Sequence, residues 1–144
     1  MSDDVDLRAL VDAAGDAIIV ADPEGAIRLW NPAATRIFGF TAEEALGRSL
    51  DLIIPERFRA RHWDGYREVM RTGRTRYGTD VLRVPALRKD GQRISIAFTV
   101  ALLTGSGGRV TAIAAFVRDE TARWEAEQTL RRRVAELERS RPES

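Results

Sequence analysis

The sequence predicts an α+β domain: a five-stranded antiparallel sheet with helices on one face and a final helix leading away from it. Three observations predict this class. Two apolar segments joined by a turn come early, and three more apolar or alternating segments come late. The residues between these groups have helical spacing. The 144 residues, 44% apolar and 31% charged, suit one domain with its own core.

The first two strands are predicted to form a hairpin. A short helix over residues 7–14 precedes them, because leucines recur there at helical spacing. Residues 17–21 are apolar and rich in β-branched side chains, and residues 26–30 resume a strand. Between them stands Asp-Pro-Glu-Gly over residues 22–25, the order that favours a type I turn.

Three helices are predicted next. Asn31 before Pro32 is a typical helix start, and Thr41 with Glu44 has the spacing of a capping box. The longest helix covers residues 55–72 and is closed by a glycine. Steps of three and four put on one of its faces Phe58, Arg61 or His62, Tyr66, Val69 and Met70.

Three further strands and a last helix complete the order β-β-α-α-α-β-β-β-α. The strand over residues 79–87 contains Pro85, which predicts a sheet edge or a bulge. Residues 93–103 alternate, and residues 110–117 are apolar on both faces, so the latter strand is predicted to be central. A helix rich in Glu and Arg begins at Thr121.

This order of elements, together with the short sequence motifs it contains, resembles the PAS (S-box) sensory domain. The resemblance covers about residues 7–123. It divides the chain into an N-terminal cap helix (1–16), the PAS domain (17–120) and a coiled-coil-like signalling helix (121–144). The matching pieces are IIVADPEG (18–25), NPAA (31–34), IFGF (37–40), EEALGR (43–48), IPE (54–56), RKDG (88–91) and FVRDET (116–121).

The resemblance implies a sensing or interaction module rather than an enzyme. In this family a pocket lies between the sheet and the helices, and signals leave through the C-terminal helix. The ligand is expected to be small and apolar or aromatic, and its identity stays open. The residues expected to line the pocket are Ile37, His62, Tyr66, Met70, Leu82, Ile96, Phe98 and Val100, and Tyr77 is a further candidate or a core residue.

Cysteine is absent, which excludes disulfides, thiolate metal sites and a cysteine nucleophile. Flavin photosensors of the PAS family carry Gly-Arg-Asn-Cys where this chain has Gly-Arg-Ser-Leu over residues 47–50. A covalent flavin adduct is therefore excluded on chemical grounds, and so is a cysteine-linked coumaroyl chromophore. Non-covalent flavin stays open.

The single histidine, His62, lies where heme-binding PAS oxygen sensors carry their axial ligand. Residues 55–62 read PERFRARH, which resembles that subfamily's Pro-Glu-x-x-Arg-x-Arg-His. The alternative function is thus a gas or redox sensor in which His62 ligates heme b. Three departures oppose it. Trp63 is inserted after the histidine, its side chain is bulky beside the expected axial ligand, and Arg83 is out of register for supporting bound oxygen. Otherwise His62 is a half-buried residue with a hydrogen-bond partner.

The exit from the domain is predicted to act as a hinge and a dimer contact. Asp119 and Thr121 match the family's junction, where Asp119 either pairs with an arginine or caps the helix. A homodimer is expected through Trp124, Leu130, Val134 and Leu137. A third possibility is a ligand-free dimerisation module.

Other classes of function find no support in the sequence. The net charge of +1 argues against nucleic acid as a partner, and no apolar run of membrane-spanning length or signal peptide occurs, so a cytoplasmic location is expected. No nucleophile elbow or phosphate-binding loop accompanies the lone histidine. Any output domain is expected to lie outside these residues.

Overall fold

The computed structural model describes residues 4–75 and 78–141 and confirms the predicted class. One sheet has the strand order β2-β1-β5-β4-β3, and every neighbouring pair is antiparallel. The helices are α1 (Leu7–Ala13), α2 (Pro32–Phe38), α3 (Ala42–Ala45), α4 (Glu56–Thr72) and α5 (Thr121–Arg139). The strands are β1 (Ala17–Ala21), β2 (Ile27–Trp30), β3 (Leu82–Leu87), β4 (Arg93–Thr104) and β5 (Val110–Asp119). A short 3-10 helix, Leu50–Ile53, precedes α4.

The local signals in the sequence produce the expected turn and helix ends. The Gly25 amide donates to the Asp22 carbonyl at 2.9 Å, and Gly25 has a φ of +85°, which closes the β1–β2 turn. Asn31 caps α2 through its side chain, which accepts from the Ala34 amide. Thr41 and Glu44 form the predicted capping box at the start of α3.

Two strand boundaries differ from the prediction by two residues or more. β3 begins at Leu82 rather than at residue 79, because Gly78 takes a left-handed φ of +56° and residues 78 and 79 form a turn. β5 runs on to Asp119, so the predicted hinge residue ends the central strand. Pro85 lies in β3, which is an edge strand as predicted.

The main core lies between one face of the sheet and the segment from α2 to the 3-10 helix. This inward face is identified by β1, whose Ala17 and Ile19 are buried, and by Val117, which pairs with Ala17 on β5. Phe38 of α2 is fully buried in the same cluster. Within residues 4–75 and 78–141, no helix combines the length and apolar character needed to cross a bilayer.

Candidate functional site

The long helix α4 stands apart from the main core. None of its side chains belongs to the cluster of buried residues that joins the sheet to α2, and Tyr66 alone among the residues of α4 is buried. His62, Val69 and Met70 are half-buried on the same side of the helix as Tyr66. The predicted face therefore exists, but apolar packing does little to hold it against the sheet.

Tyr66 ties α4 to the β1–β2 turn. Its hydroxyl donates to the Asp22 backbone carbonyl at 2.5 Å, across 44 residues of sequence. Burial raises the pKa of Tyr66, and the carboxylates of Asp22 and Glu24 raise it further. The phenol therefore stays a hydrogen-bond donor throughout the physiological pH range.

Trp63 occupies a position between the same turn and the 3-10 helix. Its Nε1–H donates to Asp51 Oδ1 at 2.7 Å. Its six-membered ring lies against Gly25 so closely that a Cβ on Gly25 would stand 2.1 Å from Trp63 Cη2. Gly25 is thus required twice, for its left-handed φ and for the space that the indole fills. The residue that departs from the heme-sensor pattern has its own place in this fold.

The His62 imidazole lies beside these two anchored rings. Its centroid is 4.6 Å from that of Trp63 and 5.7 Å from that of Tyr66. Burial lowers the pKa of His62, and the nearby Asp51 carboxylate partly opposes this shift. Among residues 4–75 and 78–141, nothing forms a hydrogen bond with its buried Nδ1. A neutral imidazole with an unpartnered buried nitrogen is able to bind a metal or a polar group of a ligand.

The strand residues predicted to line the pocket divide into two groups. Ile96 is buried within the main core, and Ile37 packs against that core from α2. Leu82, Phe98 and Val100 are on the inward face but only half-buried, and Phe98 also packs against the edge of the main core. The sheet therefore has an incompletely covered apolar patch beside a well-packed one. Tyr77 lies outside the described residues.

Arg83 takes no part in that patch. It pairs with Ala97 in the β3–β4 ladder, and Ala97 is on the opposite face from Ile96 and Phe98. Its guanidinium instead contacts Glu120 at 3.2 Å. Arg83 is therefore directed away from any ligand on the inward face, in line with the register read from the sequence.

The junction with the exit helix is built from side-chain hydrogen bonds. Asp119 Oδ1 accepts from the Thr121 amide at 2.9 Å and from the Thr121 hydroxyl at 2.6 Å. Thr121 Oγ1 in turn accepts from the Ser95 amide of β4 at 3.0 Å. Of the two roles predicted for Asp119, pairing with an arginine and bonding to the start of the helix, the geometry has the second. The arginine neighbours, Arg83 and Arg123, contact Glu120 instead.

The apolar residues of α5 are exposed, with exposed fractions of 51% for Trp124, 62% for Leu130, 47% for Val134 and 70% for Leu137. The last three follow one stripe of the helix. At about 100° per residue, Trp124 lies roughly 120° around the helix from Leu130. These four residues therefore do not form one surface.

Sequence reasoning missed three residues that organise the region: Gly25, Asp51 and Glu120. Gly25 was interpreted only as a turn residue, and the bulk of Trp63 was counted against the site. A buried glycine and an indole far apart in sequence give no local signal of their contact. Glu120 lies between the two predicted hinge residues, and its acidic side chain was the signal from which its ion pairs at the junction could have been predicted.

The five-stranded antiparallel sheet, the helices on one face and the exit helix that follows the central strand define the fold class. The profile of the PAS fold family matches residues 6–119. The chain belongs to the PAS family, as its motifs predicted.

Two of the proteins with similar sequences are named as sensors. The chain is 38% identical over 126 residues to an uncharacterized protein of Azorhizobium caulinodans, covering 87% of this chain and 17% of that protein. It is 33% identical over 132 residues to the sensor protein FixL of Bradyrhizobium diazoefficiens, covering 91% of this chain and 26% of FixL. The oxygen sensor protein DosP of Escherichia coli is 27% identical over 56% of this chain and 10% of its own length.

Solved structures have the same fold. A PAS domain from Colwellia psychrerythraea superposes with a TM-score of 0.70 at 22% identity, covering 81% of this chain and 96% of that one. An RNA-binding light-oxygen-voltage receptor also gives 0.70 at 26% identity, covering 90% of this chain and 36% of the receptor. The chain thus spans 10–26% of the length of the three sequence relatives, the Azorhizobium protein, FixL and DosP.

Proposed function

We propose that this PAS domain senses a small apolar or aromatic ligand that binds between α4 and the inward face of the sheet. The half-burial of Leu82, Phe98 and Val100, on a face whose other half is closely packed, carries the proposal. Such a patch gains about 25 cal/mol for each Å² of apolar surface that a ligand covers, before the costs of binding. The domain acts by binding and has no catalytic role.

Heme b is the second candidate ligand. The observation that favours it is the half-buried His62 imidazole, whose buried Nδ1 has no hydrogen-bond partner among the described residues. The likeness to FixL and to the oxygen sensor DosP adds support. His62 would hold the iron as an axial ligand, and bound heme would supply reversible gas binding or a change of oxidation state.

Spectroscopy of the purified protein distinguishes the two ligands. Heme predicts a Soret band as isolated or after hemin is added, with the band shifted and the affinity reduced in His62→Ala. Arg61→Ala is the matched control, since Arg61 is the exposed neighbour on the same helix. A Soret band unchanged by His62→Ala would overturn the ligand assignment, and no hemin uptake would overturn the heme proposal.

Organic extraction that yields no small molecule, with no uptake of apolar probes, would contradict the broader proposal.

The ligand state is proposed to reach the exit helix through the sheet. A ligand against Phe98 and Val100 changes the packing of β4, and β4 holds the junction through the bond from the Ser95 amide to Thr121. The expected response is a shift in the populations of two arrangements of α5. Thr121→Val, which removes the hydroxyl at similar size, should leave ligand affinity unchanged and weaken the response of α5 measured by spin labels. An unaltered response would contradict this route.

We also propose that the chain forms a homodimer through the stripe Leu130, Val134 and Leu137, and that this dimer responds to the change in the arrangement of α5. These side chains are exposed in one chain, and the spacing suits a two-stranded coiled coil. Truncation after Thr121 or Leu130→Glu should raise the dimer dissociation constant in analytical ultracentrifugation. Leu103→Glu is the matched control, because Leu103 is an exposed leucine of the sheet. If only the control dissociates the dimer, the sheet forms the contact instead.

A further inference from the structure

We propose that Trp63 is a positioning residue that sets the orientation of the His62 imidazole toward the bound ligand. The proposal rests on the proposed function, in which His62 contacts that ligand. It assigns a role to the inserted residue that sets this chain apart from the heme-sensor pattern. It also explains why a glycine and a carboxylate distant in sequence meet this indole.

The orientation of His62 depends on ring contacts. Its Nδ1 has no hydrogen-bond partner among the described residues, so no bond at that atom fixes the rotation of the ring. Instead the imidazole packs edge-to-face on Trp63, with an interplanar angle of 79°, and tilted against Tyr66 at 40°. Trp63 and Tyr66 also contact each other at 5.2 Å. The three rings form one closed group in which each limits the rotation of the other two.

The rings of Trp63 and Tyr66 are held in place by residues outside α4. Trp63 is held by Asp51 in the 3-10 helix and lies on Gly25 in the β1–β2 turn. Tyr66 is held by the carbonyl of Asp22 in the same turn. His62 is thus the one ring of the three without an anchor of its own, and its two neighbours supply that anchor. Partners of this kind orient the groups that bind ligands or metals.

The test uses the fact that the chain has one histidine, so the imidazole gives one set of NMR signals. Trp63→Phe keeps an aromatic ring and loses the Nε1 donor. Asp51→Ala removes the acceptor at a residue with a half-exposed side chain, whereas Asp51→Asn keeps Oδ1. Both Asp51 variants remove the same charge, so their difference reports the hydrogen bond alone.

We expect Trp63→Phe and Asp51→Ala to move and broaden the His62 imidazole signals of the protein without ligand. Asp51→Asn should resemble the parent protein in spectra recorded at alkaline pH, where the imidazole is neutral in every variant and the lost Asp51 charge does not alter its protonation. With hemin as the probe, the first two variants should raise Kd about tenfold, the effect typical of a partner that orients a metal ligand. Circular dichroism confirms the fold of each variant.

Unchanged imidazole signals in both Trp63→Phe and Asp51→Ala would overturn the proposal, and so would identical behaviour of Asp51→Ala and Asp51→Asn. If Trp63→Phe does not fold, the two Asp51 variants decide alone. If the parent protein takes up no hemin, the heme proposal fails, but the imidazole signals still decide whether Trp63 positions His62.

Discussion

The two helical regions beside the sheet, α2 and α4, are held by different forces. Three of the seven residues of α2 are buried, and Phe38 lies at the centre of the main core. In the seventeen residues of α4 only Tyr66 is buried. Hydrogen bonds from Arg59 and Trp63 attach α4 to the 3-10 helix and its end, and one from Tyr66 attaches it to the β1–β2 turn. One helix is part of the core, and the other is fastened at a few points.

This difference separates the source of stability from the place of sensing. Burial of large apolar side chains contributes several kcal/mol each, whereas a hydrogen bond contributes about 1 kcal/mol net. A region held by a few hydrogen bonds opens at lower free energy than the core does. We therefore expect α4 to move on ligand binding while α2 and β1 stay in place. Four measurements would break or sharpen this contrast.

The largest effect is expected from Phe38→Ala compared with Met70→Ala. Phe38 is fully buried, so its truncation should lower the free energy of unfolding by about 3–5 kcal/mol. Met70 is half-buried on α4, and its truncation should cost about 1 kcal/mol because less contact is lost. Urea unfolding measures both. Equal losses would mean that α4 belongs to the core after all.

The next effect concerns two helix caps. Asn31 is buried, and its side chain makes four hydrogen bonds, two accepted and two donated. Asn31→Ala leaves these backbone groups without partners and should cost about 3 kcal/mol. Thr41→Ala removes an exposed cap and should cost about 1 kcal/mol. Thermal unfolding measures both losses of stability. If water replaced the hydrogen bonds of Asn31, the loss in Asn31→Ala would be no larger than the loss in Thr41→Ala.

A smaller effect is expected when α4 is released from the turn. Tyr66→Phe keeps the ring and removes the bond to the Asp22 carbonyl, so stability should fall by about 1 kcal/mol. Amide hydrogen exchange should quicken in α4 and stay unchanged in α2. Faster exchange throughout the domain would argue against local opening of α4.

The smallest effect is a change in pH dependence at the turn that holds α4. Burial acts to raise the pKa of Asp22, but amide hydrogen bonds from Ala26 and Glu24 and the Arg28 guanidinium outweigh it and lower this pKa. The carboxylate therefore stabilises the fold above the pKa of the unfolded chain, about 3.9, and this contribution is lost as the pH falls through the folded value.

Asp22→Asn should accordingly give a shallower loss of stability between about pH 5 and pH 3. Urea unfolding at several pH values measures the slope. Asp64→Asn, which removes an exposed partner of Arg67, is the control. A slope that changes equally in both variants would show that Asp22 contributes no more than a surface charge does.

Local chemistry in the sequence was sufficient for the order of the elements along the chain, the Asp22–Gly25 turn and the caps at Asn31 and Thr41, because each signal lies within a few residues. The start of β3 was predicted wrong, since Thr79 and Val81 have strand character but Gly78 turns the chain there. The site was harder still. The contact of Trp63 with Gly25 joins residues 38 positions apart, and only the folded chain brings them together.

The fit of Trp63 against Gly25 has a consequence for the divergence of related sequences. A Cβ at Gly25 would lie 2.1 Å from the Trp63 indole, so Gly25 cannot gain a side chain while the tryptophan is kept. Relatives that keep tryptophan after the histidine should keep glycine in this turn, whereas in those with a smaller residue there only the left-handed φ still favours glycine, and Asn or Asp can replace it. Covariation between these two positions would then mark the lineages that fasten this helix in the same way.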